Sequence, residues 1–235
     1  MTDRHQLADD AAITPGMEAQ LARWRRRIAA GERRRGWKIG FNVPAVQAQL
    51  GISEPVIGHL TSAGELAPGG EYSVAGGTRV GIEPEIAARI ASDLLPGADL
   101  EAARSAIEGL GPAIEVVDID RPFDDLTELL AGNVFHRAVM IGATDTLLIP
   151  EHRGDVSVRV WRNGVEETAA DVSEAVREAP QVVRHVARLL GRFDERLRAG
   201  DTIICGSLTP IVWVEPGDRI EVEIEPLGRL EMSFS

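Results

Sequence analysis

Apolar and polar positions alternate with period two over much of this chain and follow the period of a helix in only a few stretches. Met17, Leu21, Trp24 and Ile28 recur at helical spacing between Pro15 and Ala30, with arginines mostly on the other faces. Thr14 and Pro15 suit the start of that helix and Gly31 its end, so the spacing predicts a docking helix facing core or a subunit interface. Further helices are predicted over 43–50, entered through Pro44 and stopped by Gly51, over 100–110 after Asp99, over 125–131, and over 179–190 with Val182, Val183 and Val186 inward. Extended segments are predicted over 36–41, 78–90, 111–119 and 134–141, and 55–60 reads as loop or short strand. A hairpin is predicted where Val156 to Trp161 meets Val165 across an Asn163-Gly164 turn. Four more strands follow, over 202–205, 211–214, 219–224 and 229–234. The pattern describes a β-rich protein with a few covering helices: a helical N-terminal segment, 1–35, and a body, 36–235.

Acids interrupt the apolar runs at three places. In an extended backbone Glu83 and Glu85 share a face, among Val80, Ile82 and Ile86. Burying two carboxylates side by side is costly unless a proton or a cation compensates them, and hard divalent ions take carboxylate oxygens. Glu115 lies in a second apolar run, Ala113-Ile114-Glu115-Val116-Val117. A three-glutamate metal site across two strands therefore stands beside the reading of strands with one solvated face. Pro84, between the two acids, donates no ladder hydrogen bond and predicts an edge or a bulge. Lys38 sits inside the apolar segment 36–41, either as an edge residue reaching water or as a cation facing the acids. In the second case it would hold an anionic substrate or shuttle a proton.

Composition narrows the function. The 235 residues are 44% hydrophobic, enough for a sizeable core, and no run of about 18 apolar residues exists. With the polar start from Met1 to Asp10, this predicts a cytoplasmic soluble protein. The single cysteine, Cys205, excludes an internal disulfide and a cysteine zinc cluster, which leaves oxygen ligands for any metal. A net charge of -12 argues against nucleic acid as a partner. The cluster Arg23, Arg25, Arg26, Arg27, Arg33, Arg34 and Arg35 reads as a solvated helix and its exit, paired with acids elsewhere.

The segments Gly36-Trp37-Lys38-Ile39-Gly40, Gln49-Leu50-Gly51, Glu54-Pro55, Glu83-Pro84-Glu85-Ile86-Ala87 and Ala113-Ile114-Glu115-Val116-Val117-Asp118 come in that order. Gly200-Asp201, Gly206-Ser207-Leu208-Thr209-Pro210 and Pro216-Gly217-Asp218 complete the series. Their order and spacing resemble the 2-keto-4-pentenoate hydratase branch of the fumarylacetoacetate hydrolase superfamily, over nearly the whole chain from Trp24 on. The resemblance implies an α+β fold, a mixed β-roll with a few covering helices, and homo-oligomers of two or more copies. It implies Mg²⁺ or Mn²⁺ held by the acids that match Glu83, Glu85 and Glu115, with Lys38 matching the family's lysine. Gly206, Ser207, Leu208 and Thr209 match the loop lining the 2-oxo acid end of the substrate, where Thr209 and a backbone N–H hold a carboxylate.

The activity this implies is that of a metal-dependent lyase on a small 2-oxo or 2-hydroxydienoic acid, with hydration placed ahead of decarboxylation and of acylpyruvate-type carbon–carbon hydrolysis. A non-catalytic partner subunit of a lyase is the alternative from another class. Two departures bear on the choice. Hydratases of the branch commonly carry an aspartate just after the proline matching Pro55, where this chain has Val56, and His59 is the nearest replacement base. No His-Glu pair of the carbon–carbon hydrolases is found after Lys38, where the chain reads Asn42-Val43-Pro44-Ala45. His136 either approaches the site or is a core histidine, and Cys205 reads as a small buried residue.

Overall fold

The computed structural model of the protein describes residues 4–144 and 155–235. In chain order its first half comprises α1 (Arg4–Ala29), β1 (Arg34–Gly40), α2 (Pro44–Leu50), β2 (Val56–Thr61), β3 (Glu65–Leu66), β4 (Glu71–Tyr72), β5 (Val80–Ile90), α3 (Leu100–Ser105) and β6 (Ile107–Asp118). The second half comprises α4 (Leu126–Ala131), β7 (His136–Ile141), β8 (Ser157–Arg162), β9 (Val165–Asp171), α5 (Ser173–Gly191), β10 (Thr202–Ser207), β11 (Val212–Trp213), β12 (Arg219–Glu225) and β13 (Gly228–Phe234). An eight-stranded sheet runs β2-β1-β10-β5-β6-β7-β3, with β11 also on β5, and a five-stranded sheet runs β4-β13-β12-β8-β9. Pairing is mixed, as expected: β1–β10, β3–β7 and β4–β13 are parallel among antiparallel neighbours. No helix is long and apolar enough to cross a membrane among the described residues.

The N-terminal helix is longer than its sequence signals suggest. Pro15 lies inside α1 rather than at its start. A proline there removes one helical hydrogen bond, but the apolar stripe continues upstream of it to Ile13, which is buried together with Met17, Leu21 and Trp24. Gly16 permits close approach to α4, since a Cβ there would meet Leu130 Cβ at 2.7 Å and the Thr127 carbonyl oxygen at 2.9 Å. Buried Gln20 then ties helix to sheet, its Nε2 donating to the carbonyls of Leu130 at 2.9 Å and Ile57 at 3.1 Å. The arginine-rich exit is paired with acids as expected: Arg25 with Glu195, Arg27 with Glu32, Arg34 with Asp201 and Arg35 with Glu65.

Two other boundaries move. The helix capped by Asp99, whose Oδ1 accepts from Ala102 N at 2.8 Å, ends at Ser105. Gly109 and Gly111 disfavour helix, and Ile107 to Leu110 instead extend β6 along β5. The last helix, in turn, begins at Ser173, six residues early, because Val176 is already buried. The Asn163-Gly164 hairpin forms as its sequence demands, with Arg162 opposite Val165 and positive φ at Asn163 (53°) and Gly164 (81°). Pro84 lies in a strand interior to the sheet, not at an edge. Leu208 N–H donates to Pro84 O at 2.9 Å, so the side on which its N–H is missing faces the segment where β10 has left the ladder and β11 has not yet begun. The irregularity that proline requires sits in the neighbour.

Candidate metal centre and substrate pocket

The register of β5 and β6 gathers the acids. Glu83 is directly opposite Glu115 and Glu85 opposite Ala113, so the three carboxylates project from one face of the sheet. One oxygen from each lies within 4.8 Å of the others. Lys38 reaches the same face from β1, where its register partner across the parallel pair is Ile204, itself paired with Ala87. Gly58, opposite Lys38 on β2, leaves room for the lysine side chain: a Cβ there would meet Asn133 Oδ1 at 2.8 Å and Lys38 Cγ at 2.9 Å.

Lys38 is 3% exposed and donates from Nζ to Glu115 Oε1 at 2.8 Å and to the Val134 carbonyl at 2.9 Å. The sequence left open whether this lysine reaches water or faces the acids; it faces the acids. Burial acts to lower its pKa, but the Glu115 and then the Glu83 carboxylates outweigh that and hold it above the ordinary lysine value. Glu115 shows the converse. Burial acts to raise it, while Lys38 and the His136 hydrogen bond, 2.7 Å from Nδ1, keep it below the usual range and charged. A carboxylate oxygen only accepts, so His136 donates from Nδ1.

One ammonium does not neutralise three carboxylates. Burial and then the Glu115 charge push Glu83 up to about 7, and burial together with both neighbouring acids drives Glu85 well above its ordinary value. Without a cation these two take up protons more readily than an exposed glutamate. Glu115 Oε2 is buried with no hydrogen-bond partner, while Glu85 Oε2 accepts from Gly206 N at 2.7 Å. A largely buried set of carboxylate oxygens with one orphaned atom, crowded enough to bind protons, fits a hard divalent ion.

The acids open into a cavity of about 450 Å³, within the range of small-molecule sites. Lys38, Glu83, Glu85, Asn42, Ser207 and Thr209 are its polar lining. Leu208 also lines it, whereas the Gly206 N–H is spent on Glu85. Ser207 Oγ donates to Thr209 O at 2.7 Å and Thr209 Oγ1 to Pro210 O at 3.0 Å, so both hydroxyls are held by their own loop.

His59 is not brought to this pocket. It pairs with Trp37, next to Lys38, and so leaves the strand on the opposite face. At 1% exposure both its ring nitrogens lack partners, and it lines a separate cavity with Arg23, Arg27, His136 and Arg137. Burial, helped by His136 and Arg27, lowers its pKa to about 3. Asn133 clasps its backbone, accepting from His59 N at 2.7 Å and donating to His59 O at 3.0 Å, which ties the β2 side of the curled sheet to the entry of β7. Burial raises the Cys205 thiol far above its ordinary value, in keeping with a structural role.

The carbonyl of Val134 and the rings of Phe41, Phe123 and Phe135 had no role in the sequence reading. The one signal for this segment was Asn133, a residue type tolerant of positive φ, which begins a run of three such residues.

A mixed curled sheet carrying three inward glutamates over a half-apolar pocket defines a class of protein. The chain belongs to the fumarylacetoacetate hydrolase family, whose C-terminal family model matches residues 45–235. Among curated relatives it is 32% identical over 235 residues to a 4-oxalocrotonate decarboxylase of Pseudomonas sp, covering 97% of this chain and 90% of that protein. It is 30% identical over 241 residues to the 2-hydroxyhexa-2,4-dienoate hydratase of Comamonas testosteroni, covering 100% and 90%. Among solved structures, 4-oxalocrotonate decarboxylase from Pseudomonas putida G7, complexed with magnesium and adipate, superposes with a TM-score of 0.84 at 26% identity, over 94% of this chain and 85% of that one. The α+β β-roll and the hydratase branch implied by the sequence motifs are both borne out.

Proposed function

We propose that this protein is a divalent-metal-dependent lyase acting on a small 2-oxo or 2-hydroxydienoic acid, with addition of water to a conjugated double bond as its reaction. The observation that carries this reading is the convergence of Glu83, Glu85 and Glu115 beside a buried, charged Lys38 at the floor of an open pocket. The relatives named above supply the reaction class.

Glu83, Glu85 and Glu115 would hold Mg²⁺ or Mn²⁺, which when bound supplies Lewis-acid stabilisation of negative charge developing on a 2-oxo oxygen. Lys38 has three N–H donors, two of them committed to Glu115 and Val134, so the third is available to a substrate carboxylate. Its raised pKa suits holding an anion, and it can deliver its proton only when the neighbouring carboxylate charge is compensated. Ser207 and Thr209 orient the carboxylate if their hydroxyls exchange the loop carbonyls for it. Val56, where the hydratases' aspartate would stand, is fully buried and offers no proton-transfer group.

The test is incubation with 2-hydroxypenta-2,4-dienoate and Mg²⁺, following loss of the dienol absorbance and analysing products. Hydration gives a product with the carbon chain intact. Release of CO₂ or fragmentation would replace hydration by the decarboxylase or hydrolase reading. Consumption no faster than in a Lys38→Ala variant removes the lyase assignment, and binding of metal without any turnover points to a non-catalytic subunit.

A further inference from the structure

Along β6 the lining turns apolar past Glu115, at Val117 and Ile119, and along β5 Ile211 covers Gly81, two residues from Glu83. Phe41, Phe123 and Phe135 form a contiguous aromatic wall, with ring centroids 5.8 Å apart for Phe41–Phe123 and 4.9 Å for Phe123–Phe135. Val46, Ile119 and Ile211 continue it. Among the described residues lining the cavity the sole cation is Lys38, already paired with Glu115. Among the described residues no cation along this wall compensates a second carboxylate, and burying an unpaired charge there is costly.

The backbone is bent to build this wall. Phe41 (φ 56°), Val134 (52°) and Phe135 (63°) are non-glycine residues in the left-handed region, and Val134 is β-branched, for which that region is a true outlier. Such strain persists only where the surroundings fix it, and it clusters at ligand sites. Here all three residues line one cavity. Val134 turns its carbonyl to Lys38, while Phe41 and Phe135 turn their rings to the wall.

We propose that the distal end of the substrate is an uncharged alkyl or aryl group, so that the pocket selects monocarboxylic 2-hydroxydienoates and 2-oxo acids over their dicarboxylic homologues. This rests on the 2-oxo acid reading above and deepens it. It also separates this chain from the structural neighbour that was solved with adipate, a dicarboxylate.

Calorimetric titration of the Mg²⁺-loaded protein with pyruvate, 2-oxohexanoate and 2-oxoadipate tests it without requiring turnover. The aliphatic tail should tighten binding over pyruvate, and 2-oxohexanoate should bind at least about tenfold more tightly than 2-oxoadipate, the scale of discrimination an apolar pocket provides. Phe123→Ala should cost 2-oxohexanoate about tenfold in affinity and leave pyruvate unchanged. Equal or tighter binding of 2-oxoadipate overturns the inference, as does an equal loss for both acids in the variant. Tail-selective binding with no turnover of any dienoate removes the lyase reading and keeps this one, whereas failure of all three acids to bind removes both.

Discussion

The sequence contains the pattern Glu-x-Glu between apolar residues in two strands that meet opposite fates. In β12, Ile220, Val222 and Ile224 are buried, while Glu221 and Glu223 between them stay partly exposed. Across the ladder Glu223 meets Arg229 and Arg159, and Arg229 pairs with Glu221. Charges there are met by opposite charges and by water. In β5, Glu85 is buried and Glu83 is partly exposed to the pocket, both are flanked by buried residues, and the residue opposite Glu83 is another acid. Like charges directly opposed destabilise a sheet. The alternation is the same in the two strands, and what stands across the ladder decides whether it makes a solvated face or a demand for a cation.

The contrast breaks most visibly if the two strands respond alike to loss of an acid. Glu115→Gln should abolish divalent-ion binding by calorimetry and lower turnover by about 100-fold or more, the usual consequence of removing one well-placed electrostatic group. Glu223→Gln should leave both unchanged. A Glu115→Gln protein that binds Mg²⁺ like its parent would leave the buried acids without a purpose.

What was legible in the sequence was local. Period two put Glu83 and Glu85 on one face, Asn163-Gly164 fixed its hairpin, and Gly51 ended α2 in the left-handed conformation (φ 67°, ψ 27°). Sequence alone did not establish that Glu115 stands opposite Glu83, because register between strands is set by packing on both faces rather than by either strand alone. Lys38 and Glu115 are 77 residues apart, and their contact depends on the order β1-β10-β5-β6, in which the chain's tenth strand inserts between its first and fifth. The face of His59 follows instead from the register of β2 on β1, which sets it opposite Trp37 and so away from Lys38. The positive φ angles of Phe41 and Phe135 are imposed by tertiary context on residues with no preference for them. The residue pattern had already offered the three glutamates as one metal site beside the solvated-strand reading, and the family resemblance favoured the first of the two.

The second difference between the strands is their answer to pH. In the metal-free folded protein Glu83 titrates at about 7, against an ordinary value of 4.5. Between those values the native state retains a proton the unfolded chain has released, so stability falls as pH rises through the window. The slope from one such group is at most about 1.4 kcal/mol per pH unit, and less for a residue with partial exposure. His59 acts oppositely: its folded value of about 3 against 6.5 makes stability rise with pH between them. The informative quantity is therefore the difference between wild type and Glu83→Gln in denaturant midpoints, measured from about pH 5 to about pH 7 without metal. The variant should gain on its parent as pH rises, and Mg²⁺ should remove the parent's loss. Glu223→Gln should run parallel to wild type, and a flat difference for Glu83→Gln would mean that its carboxyl is already compensated.

The smallest effect lies on the solvated strand. The Arg229–Glu221 pair joins an arginine side chain that is 52% exposed to a glutamate side chain that is 16% exposed, with the guanidinium 5.2 Å from the Trp161 ring centroid. Exposed pairs of this kind contribute about 0.2–1 kcal/mol. A double-mutant cycle with Arg229→Ala and Glu221→Ala should return a coupling in that range that shrinks as salt is raised. The Lys38–Glu115 pair, dry at 3% and 0% side-chain exposure, should keep its coupling at high salt. Removing Lys38 alone leaves Glu115 buried beside two other acids with only the His136 hydrogen bond to offset its charge, a loss solvent cannot repair, whereas removing Arg229 leaves Glu221 to water. If salt weakened both couplings equally, the floor of the pocket would be wet, and the dryness that makes three glutamates demand a cation would be absent.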